Sequence, residues 1–206
     1  MPGGPLTDVR SLRVEAKDRQ GEALLDAAER LLTESGPEAV SMRRVAELVG
    51  ASSQVVITQF TNKQGLADAL LQRGYDRLRT ALEALEETSD ALDDVARCLR
   101  TYRAFALANP PLYRVMFGQA VAREPLSDAS ARAARHAFDA LAEVVRRAGE
   151  VGALPAEEPD AAAEVLWAAA HGVVSLEITG FLARPARGEA TFEALLDGLL
   201  RPAPRP

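Results

Sequence analysis

Short polar side chains that could contact DNA bases are concentrated in residues 52–59. Their hydroxyl and amide groups suit base edges and phosphate oxygens. The outward side of this segment is expected to carry Ser53, Gln54, Val55, Thr58 and Gln59, with Ser52 just ahead of it and with Val56 and Phe60 facing inward. Gln54 is expected to read a base, because an amide can form two hydrogen bonds with adenine.

Two short helices must position these side chains. Ser41 is placed to cap a helix over 42–49, Ser52 is placed to cap a second helix over 53–59, and Gly50 lies in the turn between them. A helix-turn-helix needs this arrangement, since its second helix enters the major groove. Two short helices joined by a glycine turn also occur in all-helical proteins of other functions, so the spacing alone leaves both interpretations open.

Hydrophobic residues recur at helical spacing along almost the whole chain. The pattern predicts helices over about 17–35, 42–49, 53–59, 62–87, 90–108, 112–119, 128–151, 159–182 and 188–200, with a loop over 123–125. No segment of useful length alternates with the period of a strand. The predicted fold class is all-α, with an N-terminal three-helix unit that contains the helix-turn-helix and a larger helical domain after it.

Composition and charge exclude several classes of protein. Of the 206 residues, 48% are hydrophobic and 26% are charged, which is typical of globular proteins and not of disordered or fibrous ones. A formal net charge of −6 argues against bulk coating of nucleic acid, although residues 1–65 are nearly neutral and a local cluster of bases can still act. Phosphate-binding glycine loops, nucleophile elbows and metalloprotease motifs are absent, so no catalytic residue and no enzymatic activity is expected.

The single cysteine and the apolar segments limit cofactors and location. Cys98 has no second cysteine to pair with, and with His136 and His171 it makes too small a set for a zinc site, so we expect no metal and no cofactor. The longest apolar run, over 165–176, is shorter than the roughly 20 residues of a membrane-spanning helix. The first residues lack a basic region followed by an apolar one. We therefore expect a cytoplasmic protein with no membrane partner.

A series of short motifs at fixed spacing extends from position 23 to position 66, across the first predicted helices. It includes an alanine pair in the first helix, Gly36 at its end, Val45-Ala46, the turn Gly50-Ala51-Ser52 and the pattern Phe60-x-x-Lys63-x-x-Leu66. With these residues the segment resembles the N-terminal DNA-binding domain of the tetracycline-repressor (TetR) family of bacterial transcriptional regulators. In the second half, residues 109–118 and Trp167-Ala-Ala-Ala-His171-Gly172 resemble the C-terminal domain of a TetR subgroup with a Trp-x-x-x-His-Gly signature.

The resemblance implies phosphate contacts at the starts of two helices. Lys63 is similar to the phosphate-contacting lysine of the family, and the free N–H groups of a helix N-terminus would add to the same anion site. Ser41, Arg43 and Arg44 stand at the start of another helix and are expected to contact backbone phosphates as well. Lys63 could instead be an ordinary exposed lysine, and either arginine could pair with a neighbouring glutamate.

Basic residues also occur near the start of the sequence. Arg10, Arg13, Lys17 and Arg19 could reach a minor groove, as basic arms do. Acidic residues are interspersed among them, which favours a flexible arm that makes no DNA contact.

The resemblance further implies a ligand cavity in the C-terminal domain. The residues that fall in the helices around it are Tyr102, Phe105, Tyr113, Phe117, Phe138, Trp167 and His171. Each could instead belong to the hydrophobic core, since any helical bundle needs apolar residues at this spacing. His171, Tyr102 and Arg103 are the nearest polar groups, so the ligand is expected to be largely hydrophobic, and neutral or weakly acidic.

Three positions depart from the family pattern. Ile57 stands where a tyrosine usually donates to a phosphate, Gln59 stands where a histidine is common, and Gln54 stands where a small residue is frequent. Isoleucine cannot donate a hydrogen bond. The departures are compatible with a weaker operator complex, with a changed base preference, or with a domain that has lost DNA binding.

The sequence therefore predicts a flexible arm over 1–19, a DNA-binding domain over 20–65, an effector-binding and dimerisation domain over 66–200, and a flexible tail over 201–206. We expect a homodimer that binds a palindromic double-stranded DNA operator and is released by a small hydrophobic effector. The dimer is expected to form through the last two helices, because 159–182 is apolar around much of its circumference. The alternative is a helical ligand-binding or protein-interaction module that has lost DNA binding.

Overall fold

The structure, a computed structural model, describes residues 8–118, 127–154, 158–182 and 184–200, and in these ranges the secondary structure is helical throughout. The α-helices are α1 (Val9–Ser35), α2 (Met42–Leu48), α3 (Ser53–Phe60), α4 (Lys63–Glu83), α5 (Ala91–Ala108), α6 (Pro110–Phe117), α7 (Asp128–Glu150), α8 (Pro159–Ile178) and α9 (Pro185–Leu199). A short 3-10 helix, Pro37–Ala39, lies between α1 and α2. The predicted all-α fold class is confirmed.

Helices α1, α2 and α3 form a three-helix unit around a small apolar core. Leu24 of α1, Val45 of α2, and Val56 and Phe60 of α3 are all buried, so the inward orientation expected for the last two is confirmed. Burial of each such side chain contributes about 1.5–3 kcal/mol. This packing holds α3 in place, because a helix of two turns is not stable alone.

Helix α4 belongs to two packing units at once. Its first part contacts α1 and α3, and the helix also packs against α5, α6 and, most extensively, α7. Leu66, Leu70 and Leu78 are buried along its length. Helix α4 therefore connects the larger bundle to the three-helix unit.

Helix α8 is long and apolar enough, by length and composition alone, to cross a membrane. One helix of this kind is weak evidence for a membrane span. Ala163, Leu166 and Ala170 are buried, and the helix packs against α5, α7 and α9. Glu177 near its end forms an ion pair with Arg103 of α5 at 2.8 Å. Helix α8 is therefore a helix of the bundle that packs along one side.

The prediction of a flexible arm over 1–19 is wrong from Val9 onward, because α1 begins at Val9 and not near residue 17. Asp8 caps the helix through its side chain, which accepts a hydrogen bond from the N–H of Arg10 at 3.0 Å. An exposed ion pair between Glu15 and Arg19, at 3.8 Å, adds a contact across one turn. Residues 1–7 of the predicted arm and the predicted tail 201–206 lie outside the described residues.

Other helix ends differ from the prediction by a few residues. Helices α6 and α9 begin at Pro110 and Pro185 and not at 112 and 188, because proline suits the first helical position, where no N–H partner is needed. Helix α4 ends at Glu83 and not at 87, and α8 ends at Ile178 and not at 182. Residue 119, the predicted end of α6, and the predicted loop 123–125 lie outside the described residues.

Candidate functional site

The turn between α2 and α3 allows the two helices to cross. Gly50 has a φ of 66°, in the left-handed region that glycine adopts without strain. The N–H of Ala51 donates to the carbonyl oxygen of Ala46 at 2.9 Å, which closes the turn. Ser41 caps α2 as predicted, because its Oγ accepts from the N–H of Arg44 at 3.3 Å. Helices α2 and α3 therefore form a helix-turn-helix.

Gln54, Ile57 and Thr58 form the exposed face of α3. The hydroxyl of Thr58 donates to the backbone carbonyl of Gln54 at 2.8 Å, and the Gln54 side chain faces solvent. The Ile57 side chain is 42% exposed. Sequence reasoning did not count Ile57 among the contact residues, yet its exposure adds an apolar group to the same face.

The other predicted contact residues of this segment lie beside that face. Ser52 is exposed ahead of α3, and Ser53, Val55 and Gln59 are half-buried. Ser52 is the N-cap residue of α3, as predicted, but its side chain makes no capping hydrogen bond. The N–H of Val55 donates instead to the backbone carbonyl of Ser52 at 3.0 Å.

The corner between α3 and α4 places Lys63 at the first position of α4. Thr61 has a φ of 68°, and the N–H of Asn62 donates to the carbonyl of Phe60 at 2.7 Å, which makes a tight γ-turn. Asn62 caps α4 as predicted, accepting from the N–H of Gly65 at 2.9 Å. Glycine is required at 65, because a Cβ there would collide with the carbonyl oxygen of Phe60.

Three exposed basic side chains lie at the starts of α2 and α4. Arg43 pairs with Glu47 at 3.6 Å, and an ion pair this exposed contributes less than about 1 kcal/mol. Arg44 and Lys63 have no carboxylate within ion-pair distance among the described residues. Both are therefore available to an anion, and the free N–H groups of the first turn of α4 lie beside Lys63.

A charged cluster joins α1 to α4. Arg73 of α4 is only 14% exposed and lies 3.2 Å from Glu22 and 3.3 Å from Glu29, and it also pairs with Asp26. Arg77, one turn further along α4, pairs with Glu29 at 2.8 Å. Sequence reasoning missed this cluster, because Arg73 and Asp26 are 47 positions apart.

A cavity of about 540 Å³ lies in the larger bundle, bounded by α4, α5, α6, α7 and α8. Its size falls in the range of pockets that hold small organic molecules. Most of its wall is apolar, and its charged groups are Arg135 of α7 and Glu164 of α8. Sequence reasoning missed both, because an exposed arginine and glutamate on amphipathic helices have no distinguishing pattern.

The structure places four of the seven predicted ligand-binding residues on this wall: Tyr102, Phe117, Phe138 and Trp167. Phe105, Tyr113 and His171 are not part of it. Arg103, expected near the ligand, forms two hydrogen bonds with Glu177 at 2.8 and 2.9 Å. Arg103, one of the polar groups expected to orient a ligand, is therefore already engaged within the protein.

Tyr102, Tyr113 and His171 form a hydrogen-bonded cluster at the edge of the cavity. Nδ1 of His171 lies 2.9 Å from the Tyr102 hydroxyl and 2.7 Å from the Tyr113 hydroxyl, and the two hydroxyl oxygens are 3.0 Å apart. Burial lowers the pKa of His171 and raises the pKa values of both tyrosines. All three groups are therefore neutral at pH 7, and Nδ1 can accept from a tyrosine hydroxyl.

Two other groups of the wall are held in their neutral forms. The Tyr75 hydroxyl donates to the carbonyl oxygen of Met116 at 2.8 Å, and burial raises the pKa of Tyr75 to about 12. Cys98 is almost completely buried, and burial raises the pKa of its thiol to about 12. The acidic and basic side chains of the cavity wall are thus Arg135 and Glu164, which are exposed, and the buried part of the wall is uncharged.

A helix-turn-helix unit joined by a shared helix to a bundle with an apolar cavity defines a DNA-binding regulator with a separate helical domain. Residues 24–70 match the family described as "Bacterial regulatory proteins, tetR family". Residues 95–199, about half of the chain, match the "Tetracyclin repressor-like, C-terminal domain". The chain belongs to the TetR family, whose members are DNA-binding transcriptional regulators and not enzymes.

Two bacterial proteins illustrate the similarity in sequence. The chain is 37% identical over 76 residues to the HTH-type transcriptional repressor ComR of Escherichia coli K12, a match that covers 37% of this chain and 36% of that protein. It is 24% identical over 189 residues to the nucleoid occlusion factor SlmA of Vibrio vulnificus, which covers 89% of this chain and 96% of that protein.

Solved structures share the fold over nearly the whole chain. A protein of unknown function from Rhodococcus sp. RHA1 is 28% identical, with a TM-score of 0.76, and the match covers 88% of this chain and 96% of that one. The TetR-family regulator PfmR of Thermus thermophilus is 22% identical, with a TM-score of 0.65 and coverage of 88% and 99%. At that identity the likeness to PfmR concerns the fold alone.

Proposed function

We propose that this TetR-family regulator is a cytoplasmic repressor that binds a palindromic operator as a homodimer and is released by a small hydrophobic effector. One observation carries the proposal: α4 begins at Lys63, beside α3, and its residues Tyr75, Leu78 and Leu82 line the cavity. A ligand that prefers one position of α4 changes the position of Lys63 and α3 relative to DNA. Such differential affinity is what release from an operator requires.

In this proposal the DNA contacts divide into two kinds. Lys63 and Arg44 bind phosphates, with Ser41 and Arg43 at the edge of the same surface. The exposed face of α3 contacts bases in the major groove, together with its neighbours Ser52, Ser53, Val55 and Gln59. Gln54 pairs with an adenine, and Ile57 supplies an apolar contact to the methyl group of a thymine.

The effector is largely apolar and is neutral or weakly acidic. The hydroxyls of Tyr75 and Tyr102 are already hydrogen-bonded, so the interior of the cavity suits an apolar body. Arg135, whose guanidinium lies 5.7 Å from the ring centroid of Phe138, can bind a polar or weakly acidic end. The sequence from Trp167 to Gly172 supports placing the protein in the Trp-x-x-x-His-Gly subgroup.

The dimer forms through α8 and α9. Val165 and Leu176 of α8, Phe181 after it and Leu199 of α9 are exposed apolar side chains. A second copy related by a two-fold axis covers this surface. The same symmetry places two α3 helices in successive major grooves, about 34–36 Å apart.

A second candidate function is a helical ligand-binding or protein-interaction module that does not bind DNA. Ile57 favours it, because isoleucine offers no hydrogen bond to a phosphate or a base at an exposed position of α3. A binding experiment distinguishes the two functions. The purified protein is mixed at low salt with a pool of duplexes of random sequence, and the duplexes that it retains are measured. A protein that retains no duplex is the interaction module.

Ala168→Trp tests the coupling between cavity and operator, because Ala168 lies on the cavity wall. An operator selected from the randomised pool is labelled, and hydrophobic acids and aromatic compounds are screened for its release by fluorescence polarisation. Ala168→Trp is expected to abolish release by an active compound while changing operator affinity less than about twofold. Ala104→Trp, on the exposed side of α5, is the matched control and retains release. Normal release from the Ala168→Trp protein contradicts the proposal.

A further inference from the structure

The first part of α1 projects beyond the three-helix unit. Every side chain from Arg10 to Gln20 is exposed, and burial begins at Gly21. At 1.5 Å of rise per residue, Arg10 lies about 16 Å along the helix axis from Gly21. Core packing therefore does not account for the residues of this segment.

The charges of the projecting segment are separated around the helix. Arg10, Arg13 and Lys17 are spaced by three and four residues, so they lie on one face, which we call the basic stripe. Glu15 and Arg19 lie on the opposite side and pair with each other at 3.8 Å. Among the described residues, no carboxylate lies within ion-pair distance of the basic stripe.

The basic stripe continues along α1 to Gly21, the residue of α1 that lies next to the end of α3. Gly21, Leu24 and Ala28 continue it at the same spacing, and the last two are buried in the three-helix unit. A Cβ on Gly21 would come 2.5 Å from Nε2 of Gln59, near the end of α3. The stripe therefore begins beside the end of α3, next to a groove between α1, α3 and α4 that Asp18 and Glu22 line.

We propose that the basic stripe binds the phosphate backbone of the operator beside the groove that α3 enters, and so lengthens the DNA segment contacted by each protomer. This inference rests on the proposed function, because it requires α3 to lie on DNA. Guanidinium groups bind phosphate oxygens with two parallel hydrogen bonds, and a lysine ammonium adds a point charge. Since the three cations have no carboxylate partner within the described part of the chain, they bind phosphate without breaking an ion pair.

The distribution of apolar residues favours DNA over a membrane surface as the partner. Leu12 and Val14 are the large apolar residues between Arg10 and Gln20. Because they are two positions apart, they point to nearly opposite sides of the helix. A helix that lies on a membrane needs its apolar residues on one face. The segment therefore fits a polyanion that presents no apolar surface.

Arg13→Gln and Arg19→Gln form a matched pair of variants. Each replaces one arginine of the projecting segment by a good helix former, but only Arg13 belongs to the basic stripe. The full-length proteins are titrated with a labelled mixed-sequence duplex over a series of salt concentrations, since phosphate contacts do not depend on sequence. Arg13→Gln is expected to lower the slope of log K against log salt concentration by about 0.9 per protomer, whereas Arg19→Gln leaves it unchanged.

Duplex length separates this inference from the proposed function. Wild-type protein is expected to lose about tenfold in affinity when the selected operator is trimmed to its two half-sites, because flanking phosphates are removed. The triple variant Arg10→Gln, Arg13→Gln, Lys17→Gln binds both duplexes equally. Equal salt slopes for the Arg13 and Arg19 variants, or a wild type that is insensitive to trimming, overturns the inference and leaves the proposed function standing. A wild type that binds no duplex overturns both.

Discussion

His171 makes the stability of the protein depend on pH, because burial lowers its pKa. As the pH falls through about 6.5, the unfolded chain takes up a proton that the folded chain does not, so the free energy of unfolding declines until the lowered pKa is reached. His171→Asn keeps an acceptor near the two tyrosine hydroxyls but does not titrate. We expect this variant to flatten the decline of the urea midpoint between about pH 7 and pH 5, and His136→Gln, at an exposed position, to behave as wild type. The same pH dependence in His171→Asn and wild type would contradict the assignment.

Helix caps formed by residues close in sequence could be predicted, whereas contacts between residues far apart in the sequence could not. Ser41 and Asn62 each accept from an N–H three residues ahead, so sequence spacing alone identifies them. His171 meets Tyr102 and Tyr113, which are 69 and 58 positions away. These contacts depend on how separate helices cross, which periodicity does not determine. For the same reason, only some of the residues that line the cavity could be predicted from the sequence.

At the scale of elements, α1 is joined to α4 by the largely buried guanidinium of Arg73. Arg73→Ala is expected to lower the free energy of unfolding by about 1–3 kcal/mol, less than for a fully buried pair because Glu22 and Asp26 are mostly exposed. Arg30→Ala removes an exposed pair with Glu34 within α1 and is expected to cost less than about 0.5 kcal/mol. Urea unfolding of the two variants and of the wild type measures these losses in the free energy of unfolding. Equal costs would mean that Arg73 does not hold the two helices together.

Helix ends were harder to predict than the helices themselves. Hydrophobic periodicity marks only the part of a helix that packs, and the side chains in the first part of α1 are exposed among the residues that the structure describes. The cap at Asp8 and the spacing of Glu15 and Arg19 were the sequence features that could have indicated a longer helix. Basic and acidic residues are interspersed along this part of the sequence, which favoured a flexible arm. Their arrangement around the helix axis could be recognised only once the segment was known to be helical.

At the scale of the whole molecule, exposed apolar side chains predict a dimer. Phe181 is 82% exposed, and Val165 lies on the outer side of α8. Wild-type protein is expected to sediment at twice 22.0 kDa, and Val165→Glu with Phe181→Glu at 22.0 kDa, because two buried carboxylates disrupt the interface. Val151→Glu changes an exposed valine at the end of α7 and is expected to leave the dimer intact. A wild type of 22.0 kDa at micromolar concentration, or a dimeric double variant, would refute this interface.

The two parts of the molecule differ in how fully they could be predicted. The helix-turn-helix depends on a glycine turn, two caps and an apolar stripe, all within residues 41–63, so its elements follow from local sequence. The cavity is enclosed by five helices, and its charged groups Arg135 and Glu164 come from separate helices. No local pattern specifies such a space, although the bundle that contains it could be predicted.

Cys98 gives access to the motions of the apolar cavity. It is the single cysteine of the sequence, it lies almost completely buried in the cavity wall, and burial raises its thiol pKa to about 12. Alkylating reagents attack the thiolate, so Cys98 reacts only when the wall opens to solvent. The alkylation rate of the native protein thus measures how often the cavity opens, and a compound that binds in the cavity is expected to slow alkylation by the factor by which it suppresses that opening.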